Sequence, residues 1–140
     1  MENGRREVEV LSTEECMSLL AHQAVGRIGL SVNALPVILP VNYLVHGGRI
    51  LLRTGFGTKL AAAVRNAVVC FEVDEIDQER QVGWSVVITG TARELAGQEA
   101  ARAATLPLRP WSPDVGDHLV KIDVELVSGR RITVPAAVPV

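Results

Sequence analysis

A glycine pair near the middle of the chain is the sequence feature that most constrains its fold. The residues His46-Gly-Gly-Arg49 predict a tight hairpin turn, because glycine readily adopts the positive φ angles that such turns need. The segments on either side, residues 37–45 and 49–54, are rich in valine, isoleucine and leucine and have the pattern of strands. The sequence therefore predicts two adjacent antiparallel strands, and the rest of the sheet has to extend from them.

Further strand and helix patterns surround this hairpin. A capping box, Ser12-Thr-Glu-Glu15, marks the first helix, which is expected to run to His22 with Gly26 ending it. Gly90 predicts a bend in the fifth strand, and Ser128-Gly129 a turn after the sixth. Strands are predicted at residues 27–32, 67–74, 84–94 and 118–127, helices at 58–65 and 97–105, a short edge strand at 8–10 and a polar loop at 75–82. Six strands in an antiparallel meander indicate a small closed or nearly closed barrel, or a sandwich.

The length of 140 residues is that of one domain. We therefore expect residues 1–140 to fold as a single unit, with residues 1–8 and 135–140 flexible at its ends. Several strands are apolar on both faces, although a barrel strand buries only one face in the core. A second copy of the chain is the expected cover for the other face, so the pattern predicts a homodimer.

Charge and hydropathy argue against some classes of partner. The formal net charge is −2 at pH 7, so nucleic acid, which is bound mainly through its phosphates, is not an expected partner. The N-terminus leads into no long apolar run, which predicts no signal peptide, no membrane partner and, by default, a cytoplasmic protein. His22, His46 and His118 fall on separate elements, so no metal site is predicted. Cys16 and Cys70 are expected to be buried thiols.

Residues 49–60 combine cations, hydroxyl groups and glycine at the junction of a strand and a helix. Arg53, with Thr54 at the mouth of the strand, is followed by Thr58 and Lys59 at the predicted helix start. Such a set suits an anion, most simply a phosphate. Solvated surface charges, with Thr58 as a simple helix cap, explain the same residues equally well.

Directly across the hairpin, Pro40-Val-Asn-Tyr43 favours the binding interpretation. Pro40 has no N–H to donate to the sheet, so the strand is either bulged or at an edge there. This leaves an opening in which Asn42 and main-chain groups can hydrogen-bond a flat heterocycle.

These stretches together resemble the pyridoxamine 5′-phosphate oxidase-like family of flavin-binding split barrels. The resemblance is carried by Gly26-Arg-Ile-Gly-Leu-Ser31, Leu35-Pro-Val-Ile-Leu-Pro-Val-Asn-Tyr43, Arg53-Thr-Gly-Phe-Gly-Thr-Lys-Leu60, Phe71-Glu-Val-Asp74, Gly83-Trp-Ser85, Arg109-Pro-Trp111 and Gly129-Arg-Arg-Ile132. It spans nearly the whole chain in order. It implies a mainly β fold, a six-stranded antiparallel split β-barrel with short flanking helices.

The resemblance also implies a homodimer with two cofactor sites at its interface. The residues that it assigns to the cofactor phosphate are Arg53, Thr54, Thr58 and Lys59. Those that it places along the isoalloxazine ring are Pro40, Val41, Asn42 and Tyr43. The resemblance implies that Trp84 and Ser85 of the second subunit complete the cofactor site, and that Trp111 covers the ring or the substrate side.

The sequence departs from the true oxidase in two places. Trp84-Ser-Val86 stands where that enzyme carries a glutamine and an arginine, and the arginine–histidine pair that grips pyridoxal phosphate has no match near the C-terminus. Oxidation of vitamin B6 is therefore not the expected reaction.

Two classes of function stay open. The first is an oxidoreductase that transfers hydride or electrons through FMN between a small-molecule donor and acceptor, with the cofactor carrying the chemistry. The second is a non-catalytic protein that stores or sequesters FMN or FAD, whose binding residues would look the same. No residue is identified as catalytic, although Tyr43 and His46 are candidate proton donors. Haem binding is a weaker third class, because the motif places no axial histidine.

The identity of the cofactor is a separate question. FMN is the expected cofactor, with FAD and the deazaflavin coenzyme F420 as alternatives. The polyglutamate tail of the deazaflavin would favour a basic groove, and the candidates for one are Arg49, Arg53, Lys59 and Arg65.

Overall fold

Antiparallel strands account for most of the structure. The computed structural model describes residues 5–54, 62–109 and 118–135. The strands are β1 (Glu7–Val10), β2 (Val25–Val32), β3 (Leu35–His46), β4 (Arg49–Thr54), β5 (Val68–Asp77), β6 (Val82–Glu94) and β7 (His118–Thr133), and the helices are α1 (Thr13–Leu20) and α2 (Gly97–Ala103). Residues 62–64 are also helical, in agreement with the helix predicted at 58–65, whose predicted start lies outside the described residues.

Six of the strands close into a ring. The order around it is β7–β4–β3–β2–β5–β6, and pairing of β6 with β7 closes the ring. Every pair of neighbouring strands is antiparallel. The predicted six-stranded antiparallel split β-barrel is therefore confirmed. β1 is the predicted short edge strand, and it pairs with the last part of β7 at Arg130 to Thr133.

Alternating side chains fill the barrel. On β5, Val69, Phe71 and Val73 point inward and are buried. Phe71 packs edge-to-face on Tyr43 of β3 with ring centroids 5.0 Å apart, which ties β5 to β3 across the core. The same alternation turns Cys70 outward, so the prediction of a buried thiol is wrong for Cys70 and confirmed for Cys16.

The turn predicted at Ser128-Gly129 is absent, because β7 continues without a break to Thr133. Gly129 meets a packing requirement there instead. A Cβ at this position would lie 2.5 Å from Sγ of Cys16, so only glycine lets β7 pass this close to α1. Gly90 does mark the predicted bend: a β-bulge lies between Thr89 and Gly90.

Other element ends also differ from the predictions. α1 ends at Leu20, and Gly26 does not end it but lies within β2. A Cβ at position 26 would lie 2.4 Å from the Phe71 ring, which explains the glycine there. β5 and β6 run further than the polar composition suggested, so the loop predicted at 75–82 shrinks to residues 78–81. Exposed residues of a strand can be charged as long as their backbone stays hydrogen-bonded to the neighbouring strand. The polar composition of residues 75–82 therefore wrongly predicted a loop along its whole length.

A second, smaller core lies outside the barrel, under α2. Its buried residues are Leu51, Leu95, Ala103, Leu108 and Leu119. They join the outward side of β4 and β7 to α2 and to the segment that follows it. None of the described helical segments has the length and apolar composition needed to cross a bilayer.

Candidate functional site

Pro40 lies at an edge of the sheet. β3 pairs with β2 from Leu35 to Asn42 in one unbroken register, with Pro40 opposite Arg27. The pairing of β3 with β4 reaches only as far as Tyr43. The Tyr43 N–H donates to the Ala24 carbonyl on the β2 side, so alternation turns the nitrogen of Pro40 to the opposite side, where the described residues place no strand. Among the described residues Pro40 therefore pairs on one side only, as at an edge, and the β2–β3 register shows no bulge at this point.

The four residues predicted to line a ring divide between two faces. Val41 and Tyr43 point into the barrel core and are almost fully buried. Pro40 and Asn42 point to the outer face, the side of the sheet turned away from that core. Val41 and Tyr43 can therefore meet a ligand on the outer face only through their main chain.

The two candidate proton donors are also placed away from Pro40. The Tyr43 hydroxyl donates a short hydrogen bond to the Leu20 carbonyl inside the barrel, and burial raises the pKa of this phenol well above its ordinary value. His46 is exposed at the far end of β3, about 20 Å along the strand from Pro40.

Arg53 and Asn42 bind the segment that follows α2. Nη1 of Arg53 donates to the Leu108 carbonyl at 2.8 Å, and Nδ2 of Asn42 donates to the Arg109 carbonyl at 3.0 Å. The Leu108 side chain is buried in the second core. The segment 106–109 is thereby fixed beside Asn42. Nothing in the sequence relates residue 42 to residue 109, so sequence reasoning missed this arrangement.

Other basic residues of the predicted groove are paired with carboxylates. Nε of Arg49 lies 3.3 Å from Oδ1 of Asp123, and Nη2 of Arg65 lies 3.7 Å from Oε2 of Glu94. A polyanionic tail would have to compete with these acids for the two arginines.

Three of the predicted cofactor residues, Thr58, Lys59 and Trp111, lie outside the described residues. Thr54 ends β4, where its backbone pairs with His118. Of the predicted phosphate clamp, the structure therefore describes only Arg53 and the main chain of Thr54.

Trp84 and Ser85 line a cavity of about 710 Å³ at the start of β6. Its other lining residues are Val8, Ile76, Gln78, Gln81, Val82, Gly83, Arg130 and Ile132. The Arg6 side chain donates to the carbonyls of Arg80 and Gln81, which holds the turn between β5 and β6 against the chain before β1. The cation Arg130 is exposed and is the cross-strand neighbour of Ser85; it belongs to the Gly129-Arg-Arg-Ile132 stretch, for which no role was predicted.

Within one chain, Arg53 and Ser85 lie at opposite ends of β7. Arg53 pairs with Leu119, whereas Ser85 pairs with Arg130, eleven residues further along the strand. At about 3.3 Å per residue the two positions are roughly 36 Å apart along β7. A single chain therefore does not bring the predicted phosphate clamp and the Trp84 cavity together.

A charged cluster lies on the outer face beside Pro40. Nη1 of Arg27 is 3.7 Å from Oε1 of Glu72 and 3.8 Å from Oδ2 of Asp74. Partial burial, followed by the hydrogen bond and the charge of Asp74, raises the pKa of Glu72 to about 7, although Arg27 opposes the shift. Sequence reasoning missed this cluster, although the alternation of Phe71-Glu-Val-Asp74 places both carboxylates on one face.

The rest of the outer face is largely apolar and exposed. Its exposed large side chains are Val8, Val10, Val25, Ile38, Val68, Ile76, Val87, Leu126 and Ile132. In the part of the chain that the structure describes, no group of three or more His, Cys, Asp or Glu side chains is arranged to hold a metal ion.

Comparison with known proteins places this architecture in a family. The family model described as pyridoxamine 5′-phosphate oxidase matches residues 12–131. An uncharacterized protein of Mycobacterium tuberculosis strain H37Rv is 40% identical over 139 residues, which cover 96% of this chain and 91% of that protein.

Two solved structures resemble both the fold and the sequence. An FAD-binding protein from Mycobacterium smegmatis superposes with a TM-score of 0.70 at 35% identity, covering 89% of this chain and 98% of that one. An FAD-binding protein from Mesorhizobium loti has a TM-score of 0.74 at 26% identity, covering 92% of this chain and 99% of that one.

Proposed function

The chain belongs to the pyridoxamine 5′-phosphate oxidase family, and from this premise we propose that it binds a flavin between two copies of itself. The observation that carries the proposal is the separation of its two half-sites. Arg53 and Ser85 are roughly 36 Å apart along β7, too far for one flavin to touch both ends of the same chain. A second copy that packs against the outer face supplies the missing half of each site.

The exposed apolar side chains support this assembly. Ile38, Leu126 and Val68 are each about two-thirds exposed in the isolated chain. A face with this many exposed apolar residues indicates an interaction surface. Covering it with an identical face makes a homodimer with two equivalent sites.

The flavin phosphate is held by Arg53, Thr54, Thr58 and Lys59 in this proposal. Glycine-rich backbone at the start of a helix and charged donors together suit a phosphate. Arg53 has a second role besides contacting the phosphate. Its Nη1 donates to the Leu108 carbonyl and so fixes the segment 106–109.

The ring lies on the outer face in this proposal, along Pro40, Asn42 and the main chain of Val41 and Tyr43. Trp84 and Ser85 of the second copy close the other side, and Trp111 covers the exposed edge. Pro40 leaves its edge of β3 without an N–H, so a flat ring can approach the backbone there without displacing a donor.

The cofactor is FMN or FAD rather than the deazaflavin. Both solved relatives are FAD-binding proteins by name. Two arginines of the candidate basic groove, Arg49 and Arg65, are already paired with carboxylates, which disfavours a polyglutamate tail. The phosphate clamp serves FMN and FAD alike.

The proposed activity is electron transfer between two small molecules. When bound, the flavin supplies the redox chemistry. The protein fixes the phosphate, orients the ring on the outer face and excludes water from it through the second copy. The runner-up is storage of the flavin without turnover, which is favoured by the burial of the Tyr43 hydroxyl away from the ring position.

The test is a titration of the purified protein with FMN, FAD, riboflavin and coenzyme F420, after recording the absorption spectrum of whatever co-purifies. Lys59→Ala should weaken FMN binding by ~1.5–3 kcal/mol, about 12- to 140-fold, and leave riboflavin binding unchanged, because riboflavin lacks the phosphate. Lys121→Ala removes the other lysine of the chain and is the matched control. Parent-like binding of FMN by both Lys59→Ala and Arg53→Ala would sink the phosphate assignment.

A turnover assay separates the two classes of function. The flavin-loaded protein is mixed with a reduced nicotinamide or a reduced deazaflavin and a panel of small-molecule acceptors. Oxidation of the donor coupled to reduction of an acceptor supports the oxidoreductase. Tight flavin retention without turnover on any acceptor supports storage instead.

A further inference from the structure

Arg27, Glu72 and Asp74 form a compact charged cluster on the outer face. Arg27 and Glu72 are cross-strand neighbours on β2 and β5, and Asp74 lies two residues along β5 on the same face. The guanidinium contacts both carboxylates, at 3.7 and 3.8 Å. One cation therefore faces two acids that also lie against each other.

The elements around Glu72 bring few other charges. On β5 itself the outward neighbours are Asp74 and the Cys70 thiol, and the cross-strand neighbour on β6 is Val87. Beyond Arg27, on β3, lies Pro40. The net charge of the cluster is thus −1 with both carboxylates ionised and zero when one of them holds a proton.

The position of the cluster relative to Pro40 follows from the strand register. Pro40 pairs with Arg27, and Arg27 pairs with Glu72, so Glu72 lies two strands from Pro40. Two inter-strand spacings amount to about 10 Å. A charge change on a ring beside Pro40 is therefore within electrostatic reach of Glu72.

We propose that Glu72, positioned by Arg27 and Asp74, is the proton-linked group of the cofactor site. The proposal rests on the proposed flavin site. A flavin held beside Pro40 would gain two electrons and one proton from a hydride donor, and with them one negative charge. The Glu72 carboxylate then takes one proton from solvent, so the cluster loses its negative charge as the ring gains one. On reoxidation that proton returns to solvent.

Arg27 is the cation of the cluster, and its guanidinium has no acceptor for an added proton. The pKa of Glu72, raised to about 7 by partial burial and by Asp74, puts its protonation equilibrium where a nearby charge changes its occupancy most at neutral pH.

The test follows the Glu72 carboxyl group by NMR across a pH titration of the full chain. The titration is made in the flavin-free, oxidised-flavin and reduced-flavin forms, with dithionite as the reductant. We expect the midpoint of the Glu72 titration to rise by about one pH unit on reduction, the effect of one added charge at about 10 Å in a partly solvated site. Glu79, exposed in the turn between β5 and β6, is the internal control and should not shift.

A redox measurement provides the second readout. The midpoint potential of the bound flavin is measured against pH in the parent, in Glu72→Gln and in the control Glu79→Gln. The parent and the control should share a pH dependence that Glu72→Gln loses in part around pH 7. A purely structural role for Glu72 would leave the shape of that curve unchanged.

The outcomes separate this proposal from the one on which it rests. Flavin binding with identical Glu72 titrations in the oxidised and reduced forms overturns the proton linkage and leaves the flavin site standing. Failure to bind any flavin overturns both.

Discussion

At the scale of single residues, Glu72 makes the stability of the fold depend on pH. Its pKa is raised to about 7 in the folded chain, above the value of about 4.3 for an unperturbed glutamate. Between these values the folded state binds the additional proton, so the stability that this proton provides is complete below about pH 4.3. It is lost as the pH rises to about 7.

Glu72→Gln removes this dependence. We expect the variant to be more stable than the parent at pH 8, where Glu72 is ionised, and the difference to disappear or reverse near pH 4.5. Urea unfolding at the two pH values measures the change, with Glu79→Gln as an exposed control. An equal effect of Glu72→Gln at both pH values would contradict the assignment.

Local pattern predicts which way a residue points but not which distant residue it meets. The alternation of β5 fixes Phe71 inward, as the strand pattern indicates. The meaning of Gly129 could not be read from its neighbours, because the atom it makes room for belongs to Cys16, more than a hundred residues earlier. The hydrogen bond from Asn42 to the Arg109 carbonyl escaped prediction for the same reason.

At the scale of elements, the start of α1 is encoded locally and completely. The Ser12 hydroxyl accepts from the Glu15 N–H at 3.1 Å, and the Glu15 carboxylate accepts from the Ser12 N–H at 3.1 Å. This capping box was predicted because both of its partners lie within four residues of sequence.

Ser12→Ala should therefore destabilise the protein by about 1 kcal/mol, since it leaves a helix-start N–H without its acceptor. The matched control is Ser18→Ala, which replaces an exposed serine inside the same helix, where alanine is the better helix former. Chemical unfolding at neutral pH compares the two. If Ser18→Ala lowered the free energy of unfolding as much as Ser12→Ala does, the cap would not set the stability of α1.

Element ends that depend on the rest of the sheet were predicted less well. β7 runs on past Gly129 because β6 and β1 flank its last residues and hold it extended. The charged segment after Asp74 is strand for the same reason, since each residue up to Asp77 has a partner on β6. Composition alone could not supply these partners.

At the scale of the whole molecule, the proposed homodimer is expected to form through the outer face. Ile38 and Leu35 lie on the same strand and are 72% and 68% exposed, but alternation turns them to opposite faces. Ile38 lies on the outer face, whereas Leu35 does not, so the pair offers a matched test of which face is covered.

We expect Ile38→Asp to shift the protein from dimer to monomer and Leu35→Asp to leave the dimer intact, because only the first places a charge in the proposed interface. Size-exclusion chromatography with light scattering measures the mass of each variant. Loss of the dimer in both variants, or in neither, would mean that the outer face is not the dimer interface.

If each flavin is held by residues of two copies, mixing two variants that are damaged in different halves of the site should restore binding. Lys59→Ala removes one half of the site and Trp84→Ala the other. In a heterodimer of the two variants, one site combines an intact Lys59 with an intact Trp84, whereas the other site carries both substitutions. We expect each variant alone to bind FMN weakly. When the two are mixed in equal amounts, unfolded and refolded together, tight binding should return at about one quarter of all sites. Random pairing makes about half of the dimers heterodimers, and one of the two sites in each is intact. Mixtures that bind no more tightly than the separate variants would show that the flavin is not shared between two copies.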